Sequence, residues 1–169
     1  GDHPEGRVGN HFPDGDRRAL HFRLGQRGRL GRAVGKETAV FMPSGTLANQ
    51  LALRALSGSK RRVIVPEMSH VYNDTGDACQ TLSGLTLMPL APGRATFTRA
   101  EVEAVLTRTE GGRVATGVGA IVIESPIRRL SGQMFDWDEA KRISAFARDQ
   151  GIVVLETADP HRQQRTEHR

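Results

Sequence analysis

The stretch Val40-Phe41-Met42-Pro43-Ser44-Gly45-Thr46-Leu47-Ala48-Asn49-Gln50-Leu51-Ala52-Leu53 joins an apolar entry, a small-residue turn and an amphipathic helix without interruption. Backbone N–H groups at a helix start lack intrahelical acceptors and carry the positive end of the dipole, so such a turn favours an anion. Ser44 and Thr46 add hydroxyl donors, and Gly45 lets a ligand approach the backbone closely. The same residues also make an ordinary Ser/Thr helix cap that needs no ligand. Leu47, Leu51 and Ala55 continue at helical spacing, and Ser57-Gly58 supplies a stop.

Downstream the chain alternates short apolar runs with helical patterns. Val63-Ile64-Val65 is β-branched throughout and suits a buried parallel strand whose end delivers Glu67 to His70. A helix is expected over 73–82, with Gly84 and a second strand over 85–90 behind it. Thr98-Arg99-Ala100-Glu101 and Asp136-Trp137-Asp138-Glu139 both have capping-box spacing, which predicts two further helices, the second running to about residue 150 with Gly151 as its stop. Ala120–Ile123 and Ile152–Leu155 read as strands. Strand–helix alternation of this kind predicts an α/β fold with a mostly parallel sheet and ligands at the carboxyl ends of the strands. Ser44–Thr46, His70, Glu124–Arg128 and Glu156 fall at such ends.

A chain of 169 residues is long enough for one domain with a real core. No apolar run approaches a membrane span. Gly1–Arg7 has no apolar signal core, which makes a cytoplasmic location the default expectation. Cys79 is the single cysteine, so an internal disulfide and a multi-cysteine metal site are excluded. Glu67-x-x-His70 is a poor metal motif because no second histidine stands nearby, and no metal is expected. The net charge of +5 is unevenly spread: residues 1–35 carry seven Lys+Arg against four Asp+Glu, whereas residues 156–169 balance. Nucleic acid is therefore a weak expectation, since a polyanion needs charge clustered on one folded face.

Several blocks, in order, resemble the threonine aldolase and beta-eliminating lyase family of pyridoxal-phosphate (PLP) enzymes. They are Gly35–Ala39, Pro43-Ser44-Gly45-Thr46, Ser69-His70-Val71-Tyr72 with Leu82-Ser83-Gly84, and Glu124-Ser125-Pro126-Ile127-Arg128 with Gly132-Gln133 and Trp137 behind it. The resemblance implies part of the three-layer αβα large domain of the PLP-dependent transferase fold over residues 36–155. A poorly patterned leader, 1–35, and a divergent tail, 156–169, flank it.

It further implies that Ser44, Gly45 and Thr46 receive the cofactor phosphate, and that His70 stacks on the pyridine ring and assists proton transfer. A histidine there also fits a plain structural role. The family's acid five residues later is Thr75 here, with Asp74 beside it. Arg128 matches the arginine of the Glu-x-Pro-x-Arg block, where it binds an anionic group of substrate or pairs with Glu124 to fix the loop. Trp137 reads as packing. Glu156 stands at the place of the aspartate that keeps the ring nitrogen protonated, but Thr157 and Asp159 replace that segment's glycine and arginine.

PLP chemistry also needs a lysine to hold the cofactor aldehyde. Lys36, Lys60 and Lys141 are the only lysines, and none has the family's position. The resemblance thus implies a lyase cleaving a β-hydroxy-α-amino acid to glycine and an aldehyde, homo-oligomeric when complete, and here an incomplete and inactive fragment. The rival from another class is a noncatalytic binding module, either a degenerate remnant of the fold or a nucleic-acid binder using Arg17 to Arg32.

Overall fold

The computed structural model describes residues 40–111 and 113–157. The chain divides into two units, residues 1–42 and 43–169, and the architecture below is that of the second. The leader expected over 1–35, the arginines of 17–32 and the tail beyond Thr157 lie outside the described residues.

Apolar runs become strands and capped amphipathic segments become helices. Strand β1 (Arg62–Pro66), β2 (Thr86–Leu90), β3 (Val118–Glu124) and β4 (Val153–Thr157) pair in parallel in the order β2-β1-β3-β4. Helix α1 (Gly45–Leu56) precedes the sheet. Two short helices, α2 (His70–Asn73) and α3 (Ala78–Ser83), join β1 to β2. Helix α4 (Arg99–Glu110) joins β2 to β3, and α5 (Trp137–Asp149) joins β3 to β4.

Side chains alternate across a strand, so each strand feeds two cores. Val63, Val65, Ala120 and Val122 pack with Leu53 of α1, Val71 of α2 and Cys79 of α3. Ile64, Ile121 and Ile123 pack with Phe97, with Val102 and Val105 of α4, and with Ile143 and Ala147 of α5. Helices on both faces of a parallel sheet give the αβα sandwich expected from the sequence, and each fully buried aliphatic side chain contributes about 1.5–3 kcal/mol.

Local sequence sets the helix ends. Thr98 accepts from the N–H of Glu101 while the Glu101 carboxylate accepts from the N–H of Thr98, a complete capping box. At α5 only half of the expected box forms. Asp136 accepts from the N–H of Glu139, but the Glu139 carboxylate turns away to the N–H of Arg99 and to Arg142.

The single helix expected over 73–82 is instead broken. Ser69 caps α2 one residue ahead of His70, and Gly76 and Asp77 both take left-handed backbone conformations before α3 restarts. Local apolar spacing was outweighed by an earlier cap and a glycine turn. Trp137 is also not packed as expected. It stands at the first position of α5 with 65% of its surface exposed, because the helix turns Ala140, Ile143 and Ala147 to the core instead.

A close approach fixes where α1 ends against the sheet. A Cβ on Gly119 of β3 would lie 2.7 Å from the carbonyl oxygen and 2.8 Å from the Cα of Ser57, the C-cap of α1. Because both obstacles are backbone, Gly119→Ala is expected to cost about 1–3 kcal/mol, read as a lowered midpoint in chemical denaturation; an unchanged midpoint would show that the helix end is free to shift.

Candidate functional site

The strand order reverses its sense at β1. The chain moves from β1 outward to β2, then crosses back to β3 on the other side of β1. In an open parallel sheet the crevice at such a switch point, beyond the carboxyl ends of the strands, is where ligands bind. Two side chains from the sequence motifs meet there. His70 follows the end of β1 and Glu124 ends β3, and the backbone N–H of His70 donates to Glu124 Oε2 at 2.8 Å. That bond ties the start of α2 to the neighbouring strand.

Helix α1 brings its mouth to the same place. Thr46 Oγ1 lies 3.1 Å from His70 Nε2, and which of the two donates depends on the ring tautomer. Ser44, the N-cap, accepts from the N–H of Leu47 through its hydroxyl oxygen, and its carbonyl accepts from Ala48. The N–H groups of Gly45 and Thr46 have no acceptor among the described residues. A Cβ on Gly45 would meet nothing within 4 Å, so the mouth is open beside those two donors. Two free N–H groups, a hydroxyl and a space against the backbone suit a phosphate.

Behind the ring is an ionic chain that sequence reasoning did not find. Asp74 Oδ2 lies 3.5 Å from His70 Nδ1, one helical turn on. Asp74 Oδ1 accepts from Arg129 Nη2 at 2.6 Å. The Arg129 hydrogen bond holds the Asp74 carboxyl below its usual range. Glu124 is displaced the other way: burial at 6% exposure raises its pKa, opposed by the hydrogen bond from the His70 N–H and by the charge of Arg128. Arg128 itself is exposed and closes no ion pair among the described residues, so its neighbour Arg129 makes the loop-fixing contact. The signal available in sequence was only that Asp74 sits four residues after His70, while its arginine is 55 positions away.

The remaining predicted residues are placed apart. Glu156 pairs in register with Ile123, and alternation along β4 puts it on the face of Val154, the side of α4 and α5. His70 and Glu124 belong with the other face, that of α1. Thr157, partner of Glu124, shares that face. Glu67 turns away to the β2–α4 connection, where its carboxylate accepts from the N–H of Gly93. Lys60 lies against Gly117 at the amino ends of β1 and β3, and Lys141 pairs with Asp138 on α5, so neither lysine is at the crevice. Among the described residues no helix is long and apolar enough to cross a membrane.

A parallel αβα sheet with a helix mouth and an imidazole at its switch point defines the class, the large domain of the PLP-dependent transferase fold, seen here in part. The chain belongs to the beta-eliminating lyase family, whose sequence model matches residues 15–157. It is similar to Aldolase vrtJ of Penicillium aethiopicum, 31% identical over 145 residues that make 83% of this chain and 36% of that protein. It is also similar to the low specificity L-threonine aldolase of Saccharomyces cerevisiae, 26% identical over 74% of this chain and 32% of that one. A crystal structure from Listeria monocytogenes, described as a candidate L-allo-threonine aldolase, superimposes with a TM-score of 0.65 at 27% identity, covering 85% of this chain and 37% of that one. The chain thus spans about a third of the length of the relatives it matches.

Proposed function

We propose that this chain supplies the phosphate-binding and ring-covering part of a PLP-dependent lyase of the threonine aldolase type. The observation that carries the reading is the contact of 3.1 Å between Thr46 and His70, which joins an open helix mouth to a flat side chain. Ser44, Gly45 and Thr46 would hold the phosphate, and His70 would lie against the ring and accept a proton at Nε2. The bound cofactor supplies an electron sink for breaking the bond between the α- and β-carbons of a β-hydroxy-α-amino acid, giving glycine and an aldehyde.

The donor set fits the phosphate end of that cofactor. The aldehyde end has no partner among the described residues, since neither Lys60 nor Lys141 reaches the crevice, and Glu156 sits across the sheet from His70. Arg128, exposed beside the crevice, is proposed to receive the substrate carboxylate. The amino-acid substrate and a homo-oligomeric assembly are part of the same proposal. With its anchor and ring contact but no lysine at the crevice among the described residues, from which Lys36 is excluded, the chain is proposed to bind the cofactor without turning over substrate.

Equilibrium dialysis against PLP and against pyridoxal, which lacks the phosphate, tests this. PLP is expected to be retained in preference to pyridoxal. Gly45→Val, which fills the open mouth, should weaken retention by about tenfold or more, the loss of one charge-assisted hydrogen bond of ~1.5–3 kcal/mol. Borohydride is expected to trap no stoichiometric adduct at a single lysine. Equal retention of PLP and pyridoxal would remove the phosphate anchor, and with it the reading.

A further inference from the structure

We propose that Asp74 and Arg129 are positioning residues that fix the neutral His70 ring as its Nδ1–H tautomer, turning the Nε2 lone pair onto Thr46 at the mouth of α1. The inference rests on the reading that this crevice takes PLP, and it adds two residues that flank the site's motifs but were given no role in them.

The argument is one of hydrogen-bond inventory. A neutral imidazole has one donor nitrogen and one acceptor nitrogen. Nδ1 faces Asp74 Oδ2 at 3.5 Å, and Nε2 faces the Thr46 hydroxyl at 3.1 Å. The hydroxyl can donate or accept, so by itself it does not choose. The carboxylate can. Asp74 is kept ionised by the bond of 2.6 Å from Arg129, so it has no proton to offer and can only accept. A lone pair on Nδ1 would face that anion and be repelled by it, whereas an N–H there is attracted. The proton therefore belongs on Nδ1, and Thr46 then donates to Nε2.

The other charged groups around the ring leave this choice standing. Glu124 of β3 is hydrogen-bonded to the His70 backbone N–H, and it meets the ring only through the ring's charge. Arg128, from the same turn as Arg129, acts on Glu124. The backbone tether and the tautomer lock are thus separate devices on one residue, the first fixing where His70 stands and the second fixing which nitrogen meets α1. One consequence concerns the anchor. With the Thr46 proton directed at the ring, the donors left for an anion are the N–H groups of Gly45 and Thr46 and the hydroxyl proton of Ser44, so Ser44→Ala should weaken PLP retention more than Thr46→Val.

The ring nitrogens can be read directly. The whole chain is labelled with 15N in histidine, recorded without cofactor in mildly alkaline buffer, and the His70 signals are assigned by their loss in His70→Gln. The expected result is a protonated Nδ1 and an unprotonated Nε2. In Asp74→Ala the Nδ1–H signal should be lost in favour of the Nε2–H form, and Asp74→Glu, which keeps a carboxylate, should restore it. Asp74 is at the surface, and an unchanged backbone spectrum away from α2 in each variant shows that the fold is kept. A protonated Nε2 in the wild-type chain, or a tautomer indifferent to Asp74→Ala, overturns the proposal. Because no cofactor is present, this failure is distinct from failure of the dialysis experiment, which would remove the proposed function while leaving the tautomer result as measured.

Discussion

Replacing Phe97 with alanine is expected to destabilise the chain by about 3–5 kcal/mol, the largest effect of any single change proposed for it. Phe97 is fully buried and has the largest side chain of any fully buried residue described. It sits just before the capping box of α4, and its ring meets that of Phe135 edge to face with centroids 5.1 Å apart. Phe135 in turn precedes Asp136, the N-cap of α5. The two rings therefore pin the starts of the two helices that cover one face of the sheet, and the N–H of Asp136 donates to Thr96 Oγ1 at 2.8 Å beside them. Truncating Phe97 removes the transfer energy of the ring, leaves a cavity between two layers and forfeits the aromatic pair. Phe135→Leu, which keeps most of the volume, should cost clearly less. A loss below ~1 kcal/mol in Phe97→Ala would mean that α4 and α5 collapse into the space without resistance.

The same pair shows what was legible in the sequence. The cap of α4 could be read from Thr98-x-x-Glu101, and the strand under it from Ala120–Ile123, because both signals are local. The Ser-Gly-Thr turn before α1 was legible for the same reason. What failed was one local break and the features decided by distant partners. Over 73–82 the local pattern favoured one helix, yet the Ser69 cap and the left-handed Gly76 and Asp77 divide it so that His70 is presented at a helix start. Trp137 lies beside the capping residue of α5, but only the phase of that helix against the sheet shows that it faces outward. For Glu156 the position along β4 was read from the strand run, while its face depends on the register with β3. One residue of register separates Glu156 from the face of Glu124. The Asp74–Arg129 pair joins residues 55 apart and had no local sign at all.

Glu124 tests how the site is tied to the fold, and its variants should diverge according to what they leave for the His70 N–H. In Glu124→Ala that half-buried donor loses its acceptor, and the packed stem of the glutamate leaves a void. Together these are expected to cost roughly 2–4 kcal/mol. Glu124→Gln keeps an acceptor oxygen and the shape, so its stability at neutral pH should match or exceed that of the wild type. The sign follows from burial. The folded chain raises the pKa of Glu124, so in the native state it binds its proton more tightly than in the unfolded state. Its contribution is then fully present below the ordinary glutamate range and is lost as the pH rises through the elevated folded value. Denaturation followed across that window should therefore show a downward slope with rising pH from this residue, isolated as the difference between wild type and Glu124→Gln. Glu101, whose lowered value acts in the opposite sense, titrates in both proteins and cancels in the difference, while the charge of Asp74 adds to the elevation of Glu124 and is part of what the difference reads. A difference that does not change with pH would mean that Glu124 is charged at no cost in the fold, and that the crevice is wetter than its burial implies. A Glu124→Gln chain as unstable as Glu124→Ala would show instead that the His70 N–H requires a full negative charge, making the anion itself the clasp between β3 and α2.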